Sequence, residues 1–144
     1  MERLREAVHK DKEQVYKLLV ALEEKNIDIN SFSSIFDANL ANPFVFYYVY
    51  ERENMILGFV SIHMQKLLHH TSNVAEIQEL IVDETIRGQG IGKRLFHKAK
   101  EVAAKNDCSQ LEVCCNHKRT QSHKFYCAQG MTNNHYKFCL PLKS

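Results

Sequence analysis

Residues 82–96 read Val-Asp-Glu-Thr-Ile-Arg-Gly-Gln-Gly-Ile-Gly-Lys-Arg-Leu-Phe, and no other stretch limits the fold of this chain as much. It ends a β-branched run, passes through three alternating glycines and opens an amphipathic helix over about residues 90–105, with Ile91, Leu95, Ala99 and Val102 on the inner stripe. A strand over about residues 74–82 precedes the turn and a strand at Leu111–Cys115 follows the helix, so residues 74–115 make one strand–helix–strand unit with parallel strands. Glycine lets the backbone take positive φ, and successive N–H groups can then converge on an anion at the helix N-terminus, where the dipole favours negative charge. Arg87 and Lys93 add full positive charges nearby.

Spacing separates three nucleotide-binding readings of the turn. An NTPase phosphate loop needs four residues between its first glycine and a Gly-Lys-Ser/Thr. Here Gly88 and Gly92 have three between them, and Lys93 is followed by Arg94. A dinucleotide fingerprint is Gly-x-Gly-x-x-Gly, whereas Gly88-Gln89-Gly90-Ile91-Gly92 puts Lys93 where the third glycine belongs, with too little chain afterwards for a second mononucleotide half. An Arg-x-x-Gly-x-Gly pattern, by contrast, fits Arg87, Gly90 and Gly92 without adjustment. Taken alone, such a turn is also an ordinary tight strand-to-helix connection.

The rest of the chain supplies the other elements. A short first strand is expected over residues 3–8, then a helix of about residues 11–25 with Val15, Leu18, Leu19 and Leu22 at helical spacing. A second helix near residues 31–41 starts at Ser31, carries Phe32, Ile35 and Phe36 on one side, and is broken by Asn42-Pro43. Phe44–Glu51 and Ile56–Gln65 form a hairpin about the turn Arg52-Glu53-Asn54, and a polar loop from Lys66 to Asn73 leads into the fourth strand. After the parallel unit come a helix of about residues 120–129, stopped by Gly130, and a closing strand near Tyr136–Leu140. The order βααβββαβαβ predicts an α/β fold: a mixed, mostly antiparallel sheet with helices on both faces, in a single domain over residues 1–144.

Composition narrows the function classes. The formal charge is only +2 with acids and bases interleaved, so no general nucleic-acid footprint is expected. No apolar run reaches the ~20 residues of a membrane span and the N-terminus lacks a signal-peptide core, so the chain reads as cytoplasmic. Cys108, Cys114, Cys115, Cys127 and Cys139 are odd in number and unpaired in spacing, which argues against a disulfide framework and for small buried hydrophobes. Cys114 and Cys115, adjacent in a strand-like run, should point to opposite faces.

A second motif turns the glycine pattern into a family resemblance. Residues 123–131 read His-Lys-Phe-Tyr-Cys-Ala-Gln-Gly-Met, with Asn116 at the end of the preceding strand. Together with the Arg-x-x-Gly-x-Gly turn, in the correct order along the chain, these resemble the two acyl-coenzyme A motifs of the GNAT acetyltransferases. A closer likeness, carried by "ANLANP" (38–43), "HMQKLLHH" (63–70), "EIQEL" (76–80) and "HKFYCAQGM" (123–131), is to the bacterial aminoalkylphosphonate N-acetyltransferases. This chain departs from that pattern at Asn30 and Leu67, where the family carries histidine, both beside the expected acceptor pocket.

The resemblance implies acetyl-coenzyme A as cosubstrate, a small-molecule primary amine as acceptor, and direct transfer in a ternary complex. It implies that Arg87, Gly88, Gln89, Gly90, Ile91, Gly92 and Lys93 surround the pyrophosphate, that backbone N–H groups of Leu80, Ile81 and Val82 bind the pantetheine arm, and that Asn116 contacts the cofactor. Amide formation needs a base for the ammonium proton, an acid for the departing thiolate and donors for the carbonyl oxygen. Glu76 is the expected base and Glu79 the reserve. On a regular strand the two face opposite sides, and a bulge would reverse that. Tyr126 is the expected acid by its match to the motif.

His63, His69 and His70 flank a loop near the expected acceptor pocket, where a phosphonate would welcome cationic or N–H partners; Glu79 is a further candidate contact. The resemblance also links such enzymes to a divalent metal, for which these imidazoles with Glu76 are a candidate ligand set. Other acceptors (a polyamine, an aminoglycoside, an amino acid or a protein) and a non-catalytic coenzyme A sensor remain alternatives. Homodimers are common in the superfamily, and the surface composition does not decide between monomer and dimer.

Overall fold

A computed structural model describes residues 1–23 and 26–143. The chain divides into two compact units, Met1–Val113 and Cys114–Ser144. The first holds β1 (Glu2–Glu6), a 3-10 turn (His9–Asp11), α1 (Lys12–Glu23), α2 (Ile29–Leu40), β2 (Val45–Arg52), β3 (Met55–Leu67), β4 (Ser72–Val82), a second 3-10 turn (Glu84–Ile86), α3 (Ile91–Lys105) and β5 (Cys108–Val113). The second holds α4 (Thr120–Ala128). The five strands form one sheet in the order β1-β2-β3-β4-β5, antiparallel except for the parallel β4–β5 pair that α3 connects. No helix among the described residues is long and apolar enough to cross a membrane.

The sheet carries helices on both faces, as the element order predicts. On one face Val49, Phe59 and Ile81 pack with Val15 and Leu18 of α1 and Phe36 of α2. Aromatic rings run from the helices into the sheet, Tyr16–Phe32–Phe36–Tyr47–Phe59, with centroids 5.1 to 5.7 Å apart. On the other face α3 buries Ile91, Leu95, Phe96, Ala99 and Val102. Its approach depends on Gly58, where an added Cβ would meet Leu95 Cδ1 at 3.1 Å and Tyr50 Cβ at 3.2 Å.

Several boundaries differ from those the pattern suggests. Asp28, not Ser31, caps α2: its carboxylate accepts the Ser31 N–H at 2.8 Å, which lets the helix begin at Ile29. Phe36 is buried there, but Ile35 is 60% exposed and does not share the inner side. The expected polar loop at residues 66–73 is mostly ladder, since Leu67 pairs with Ser72 and only Leu68 to Thr71 turn. The end of the expected first helix, residues 24 and 25, lies outside the described residues.

Three corrections concern the last third. β5 spans Cys108–Val113 rather than Leu111–Cys115, because β4 pairs with it only from Asn73 to Ile77. Cys114 and Cys115 therefore lie beyond the strand. The cysteines are not the buried hydrophobes expected: none forms a disulfide, Cys114, Cys127 and Cys139 are exposed, and Cys108 and Cys115 are half-buried. The closing strand at Tyr136–Leu140 is absent; residues 131–143 have no regular secondary structure, and Tyr136, Phe138 and Leu140 are exposed. Alternation alone does not make a strand without ladder partners for its N–H and C=O groups.

One buried ion network fixes the entry to α1. Asp11 is 2% exposed and takes two guanidinium bonds from Arg5, at 2.8 and 2.9 Å, plus the Val8 N–H at 2.9 Å. Arg5 also reaches Glu51, at 3.2 Å. Burial pushes the Asp11 pKa up, but the bonds from Arg5 and Val8 outweigh it and hold the carboxyl below its ordinary value. A carboxylate with a depressed folded-state pKa stabilises the fold above its unfolded pKa, about 3.9, and loses that contribution as pH falls through the folded value. Asp11→Asn should therefore cost about 3 kcal/mol at pH 7 by urea unfolding, with the gap to the wild type narrowing below about pH 4.

Candidate active site

Strand β4 does not keep one parity. From Val82 to Glu79 it pairs with Gly58 to Ser61, but the next pairs are Ile62 with Ile77 and His63 with Glu76, so Gln78 is an extra, bulged residue. Ser61 and His63 lie two apart on β3 and share a face, and so therefore do their partners Glu79 and Glu76. The bulge thus brings onto one face the two carboxylates that a regular strand would separate. The signal was legible: apolar residues of the α3 side sit at odd positions, Ala75 and Ile77, and then at even ones, Leu80 and Val82, across the polar pair Gln78-Glu79.

That face is furnished with polar groups. Ser61 is fully buried, donates its hydroxyl to the Glu79 carboxylate and accepts the Glu79 N–H at 2.9 Å. Tyr47, opposite Ser61 on β2, accepts a bond from Asn39 Nδ2 at 2.6 Å. Burial pushes the Tyr47 phenol pKa upward and the Glu79 charge adds to this, against the pull of Asn39. Glu76 and His63 face each other as a cross-strand pair, both half-buried. Sequence reasoning missed Ser61, Tyr47 and Asn39, since nothing local marks a Ser or Tyr whose role comes from a cross-strand neighbour.

His69 and His70 stand apart from this group. They lie in the β3–β4 turn with ring centroids 4.5 Å apart, beyond Leu67. Leu67 lies four positions beyond His63 along the strand, a run of roughly 13 Å. Among the described residues no three His, Cys, Asp or Glu side chains gather as metal ligands, so the candidate set of His63, His69, His70 and Glu76 is not assembled.

Beyond its last pair with β5, Ile77 with Val113, β4 continues to Val82 with only β3 beside it. Leu80, Ile81 and Val82 thus lie on a strand segment whose β5-side edge has no ladder partner from that strand. The chain then passes through the Asp83-capped turn, where Asp83 accepts the Thr85 N–H at 2.9 Å, into the glycine loop. Gly88 and Gly90 have φ of 84° and 80°, and a Cβ at either would meet nothing within 4 Å. Gly92 already lies inside α3. Gly90 is the N-cap of α3 without any side-chain cap, so the first N–H groups of α3 are uncapped by a side chain. Arg87, Gln89 and Lys93 are exposed around it, with Arg87 Nε donating to the Val82 carbonyl at 3.3 Å. Open space, free amides and cations fit the demands of a pyrophosphate.

The second unit holds Asn116 and Tyr126. Asn116 closes a local turn: Oδ1 accepts the Lys118 N–H at 2.9 Å and its carbonyl meets His123 Nε2 at 2.9 Å. Tyr126 is half-buried on α4, which ends at Ala128; Gly130, with φ of 95°, follows its cap residue Gln129. Burial, followed by the charge of Cys115 and against that of Arg119, pushes its phenol up to about 12.

Comparisons with known proteins bear on the family and the fold. Residues 12–131 match the model of the acetyltransferase (GNAT) family. An aminoalkylphosphonate N-acetyltransferase of Salmonella typhimurium is 38% identical over 135 residues, 94% of this chain and 88% of that protein. Among solved structures, a transcriptional regulator from Bacillus halodurans superposes with a TM-score of 0.90 at 21% identity, over 99% of this chain and all of that one. Glucosamine-6-phosphate N-acetyltransferase from Arabidopsis thaliana superposes with a TM-score of 0.84 at 19% identity, over 99% of each chain. The two superpositions establish the fold.

At the glycine loop, the constraint is conformational and not steric. Gly90→Ala should cost about 1–2 kcal/mol by urea unfolding, the price of a left-handed L-residue. An unchanged midpoint would mean that the loop relaxes to negative φ.

Proposed function

The chain belongs to the GNAT family of acetyltransferases, and from that premise we propose that it moves the acetyl group of acetyl-coenzyme A to the primary amine of an aminoalkylphosphonate. The observation that carries the reaction is the bulged face of β4, which sets Glu76 and Glu79 together one strand segment before an uncapped glycine loop. The phosphonate class is supported by the 38% identical relative.

In this reading the loop from Arg87 to Lys93 holds the pyrophosphate, and the edge of Leu80, Ile81 and Val82 holds the pantetheine arm and polarises the thioester carbonyl. Glu76 takes a proton from the acceptor ammonium, directly or through water. Glu79, held by its bond from Ser61, acts as an acceptor contact. His63, paired across from Glu76, is the phosphonate contact of choice, ahead of His69 and His70. The amine nitrogen bonds to the acetyl carbon, the carbon–sulfur bond breaks, and the sulfur leaves as a thiolate, which is neutralised through solvent by the second proton that the nitrogen sheds as the amide forms. Asn116 remains a proposed cofactor contact through groups its turn does not use.

Tyr126 stabilises the leaving sulfur. With its pKa pushed up to about 12, the phenol stays protonated throughout the physiological range. An ordinary thiol titrates near 8.5, so complete transfer from the phenol to a thiolate is uphill by several units. Its contribution is then mainly a strong hydrogen bond as charge develops on sulfur.

Thiol release from acetyl-coenzyme A, measured against an amine panel led by aminomethyl- and aminoethylphosphonate, tests the proposal. Turnover should be phosphonate-selective and should fall by on the order of 10²-fold or more in Glu76→Gln. Tight coenzyme A binding without turnover on any amine would favour a sensor.

Tyr126→Phe should lower kcat on the order of 10²-fold while leaving coenzyme A affinity unchanged. Its raised pKa also predicts that kcat shows no basic limb from Tyr126 up to about pH 10. A limb near pH 10 in the wild type that vanishes in Tyr126→Phe would reject the raised pKa while leaving the role of Tyr126 at the sulfur in place.

A further inference from the structure

Beyond the bond of Arg87 to the Val82 carbonyl, the glycine loop has little fixation of its own. Gly88 and Gly90 carry no side chains, α3 begins without a side-chain cap, and nothing lies within 4 Å of where their Cβ atoms would be. A loop of this composition samples many conformations unless other residues hold it, and a ligand that requires one of them loses affinity accordingly. The side chain that reaches it from the sheet is Arg52, at the end of β2: Arg52 Nη2 donates to Gln89 Oε1 at 3.1 Å.

Arg52 is itself fixed by a network rooted in the core. Its Nε donates to the Tyr50 hydroxyl at 3.1 Å, its guanidinium stands 5.5 Å from the centroid of that ring, and its Nη2 reaches Glu2 Oε2 at 3.2 Å. Tyr50 is 0% exposed and donates its hydroxyl to the same Glu2 oxygen. The other oxygen of Glu2 accepts Arg94 Nη1 at 3.0 Å, and Arg94, from the first turn of α3, stands 5.3 Å from the Tyr50 ring centroid on its own account. Both ends of the glycine turn are thus tied to one buried phenol: Gln89 through Arg52, and α3 through Arg94 and Glu2.

We propose that Arg52, backed by Tyr50 and Glu2, is a positioning residue for the cofactor loop, holding Gln89 and its neighbours in the conformation that receives the pyrophosphate. This rests on the assignment of that loop to acetyl-coenzyme A. Arg52 belongs to the β2–β3 hairpin, two strands from β4, and takes no part in chemistry. Its effect falls on cofactor affinity alone.

Two measurements on the full chain test it. Amide hydrogen exchange of the free protein should be faster at residues 87–92 in Arg52→Ala and in the isosteric Tyr50→Phe than in the wild type, with β3 and β4 unchanged. Calorimetric titration with coenzyme A should give a Kd raised about 3- to 5-fold in both variants, in keeping with exposed, screened contacts, and KM for acetyl-coenzyme A should rise alike. The kcat and the acceptor KM of Arg52→Ala should stay at wild-type values, a split that general destabilisation would not produce. Arg52→Lys, with one ammonium in place of a fork, should recover part of the affinity. Wild-type exchange and affinity in Arg52→Ala would overturn the inference while leaving the cofactor assignment intact. A wild-type protein that binds no coenzyme A would overturn both.

Discussion

The bulge at Gln78 is the constraint on which the candidate site depends. A strand has a side-chain period of two, so one extra residue exchanges the faces of everything beyond it. If β4 ran regularly from its pairing at Val82 and Glu79, Gln78 would stand opposite Ile62 on the α3 side and Ile77 would take the place of Glu76. The fold would then bury an amide on the α3 face, at a cost of about 1–3 kcal/mol if it found no partner, and would move an isoleucine that is now 1% exposed to the half-buried place of Glu76. Ordinary hydrophobic sorting on the α3 face therefore forces the parity change. The pairing of Glu76 with Glu79 on the opposite face follows from it.

The same strand sets where the sheet opens. β4 is bound to β5 only through Ile77, just before the bulge, and continues to Val82 beside β3 alone. The bend and added twist that accompany a bulge give a physical reason for the ladder to end there. The open edge leads directly into the glycine turn, while α3 is held against the sheet by Leu95 over Gly58. A well-packed helix thus presents an uncapped N-terminus. The core supplies rigidity, and the loop supplies amides with no competing side chain.

Legibility in the sequence followed the range of the interactions involved. The glycine turn, the stripe of α3 and the strand–helix–strand unit depend on neighbours within a few residues, and their order was recoverable from period and turn chemistry alone. The ends were less so. Asp28 caps α2 three residues before Ser31, and either residue type suits a cap, so residue type alone did not choose between them. The alternation at Tyr136–Leu140 looked like a strand, yet a strand exists only with a partner, and pairing is a long-range property. Ser61 and Tyr47 were invisible for a similar reason: each is ordinary in its own segment and acquires meaning from Glu79 across the sheet. The change of parity between Ile77 and Leu80 was the one long-range feature that local sequence did encode.

Ser61 and Glu79 also show how the site sustains its polarity inside a packed sheet. A fully buried hydroxyl with no partner would cost about 1–3 kcal/mol, and a carboxylate beside apolar neighbours considerably more. Each satisfies the other here, the hydroxyl donating a hydrogen bond to the carboxylate and accepting the backbone N–H of the same residue. That closed arrangement fixes Glu79 against the strand. Glu76 lies on the far side of the bulge, opposite His63 and not opposite Ser61. Two carboxylates of identical chemistry thus share one face but stand against different cross-strand neighbours, because a single extra residue lies between them.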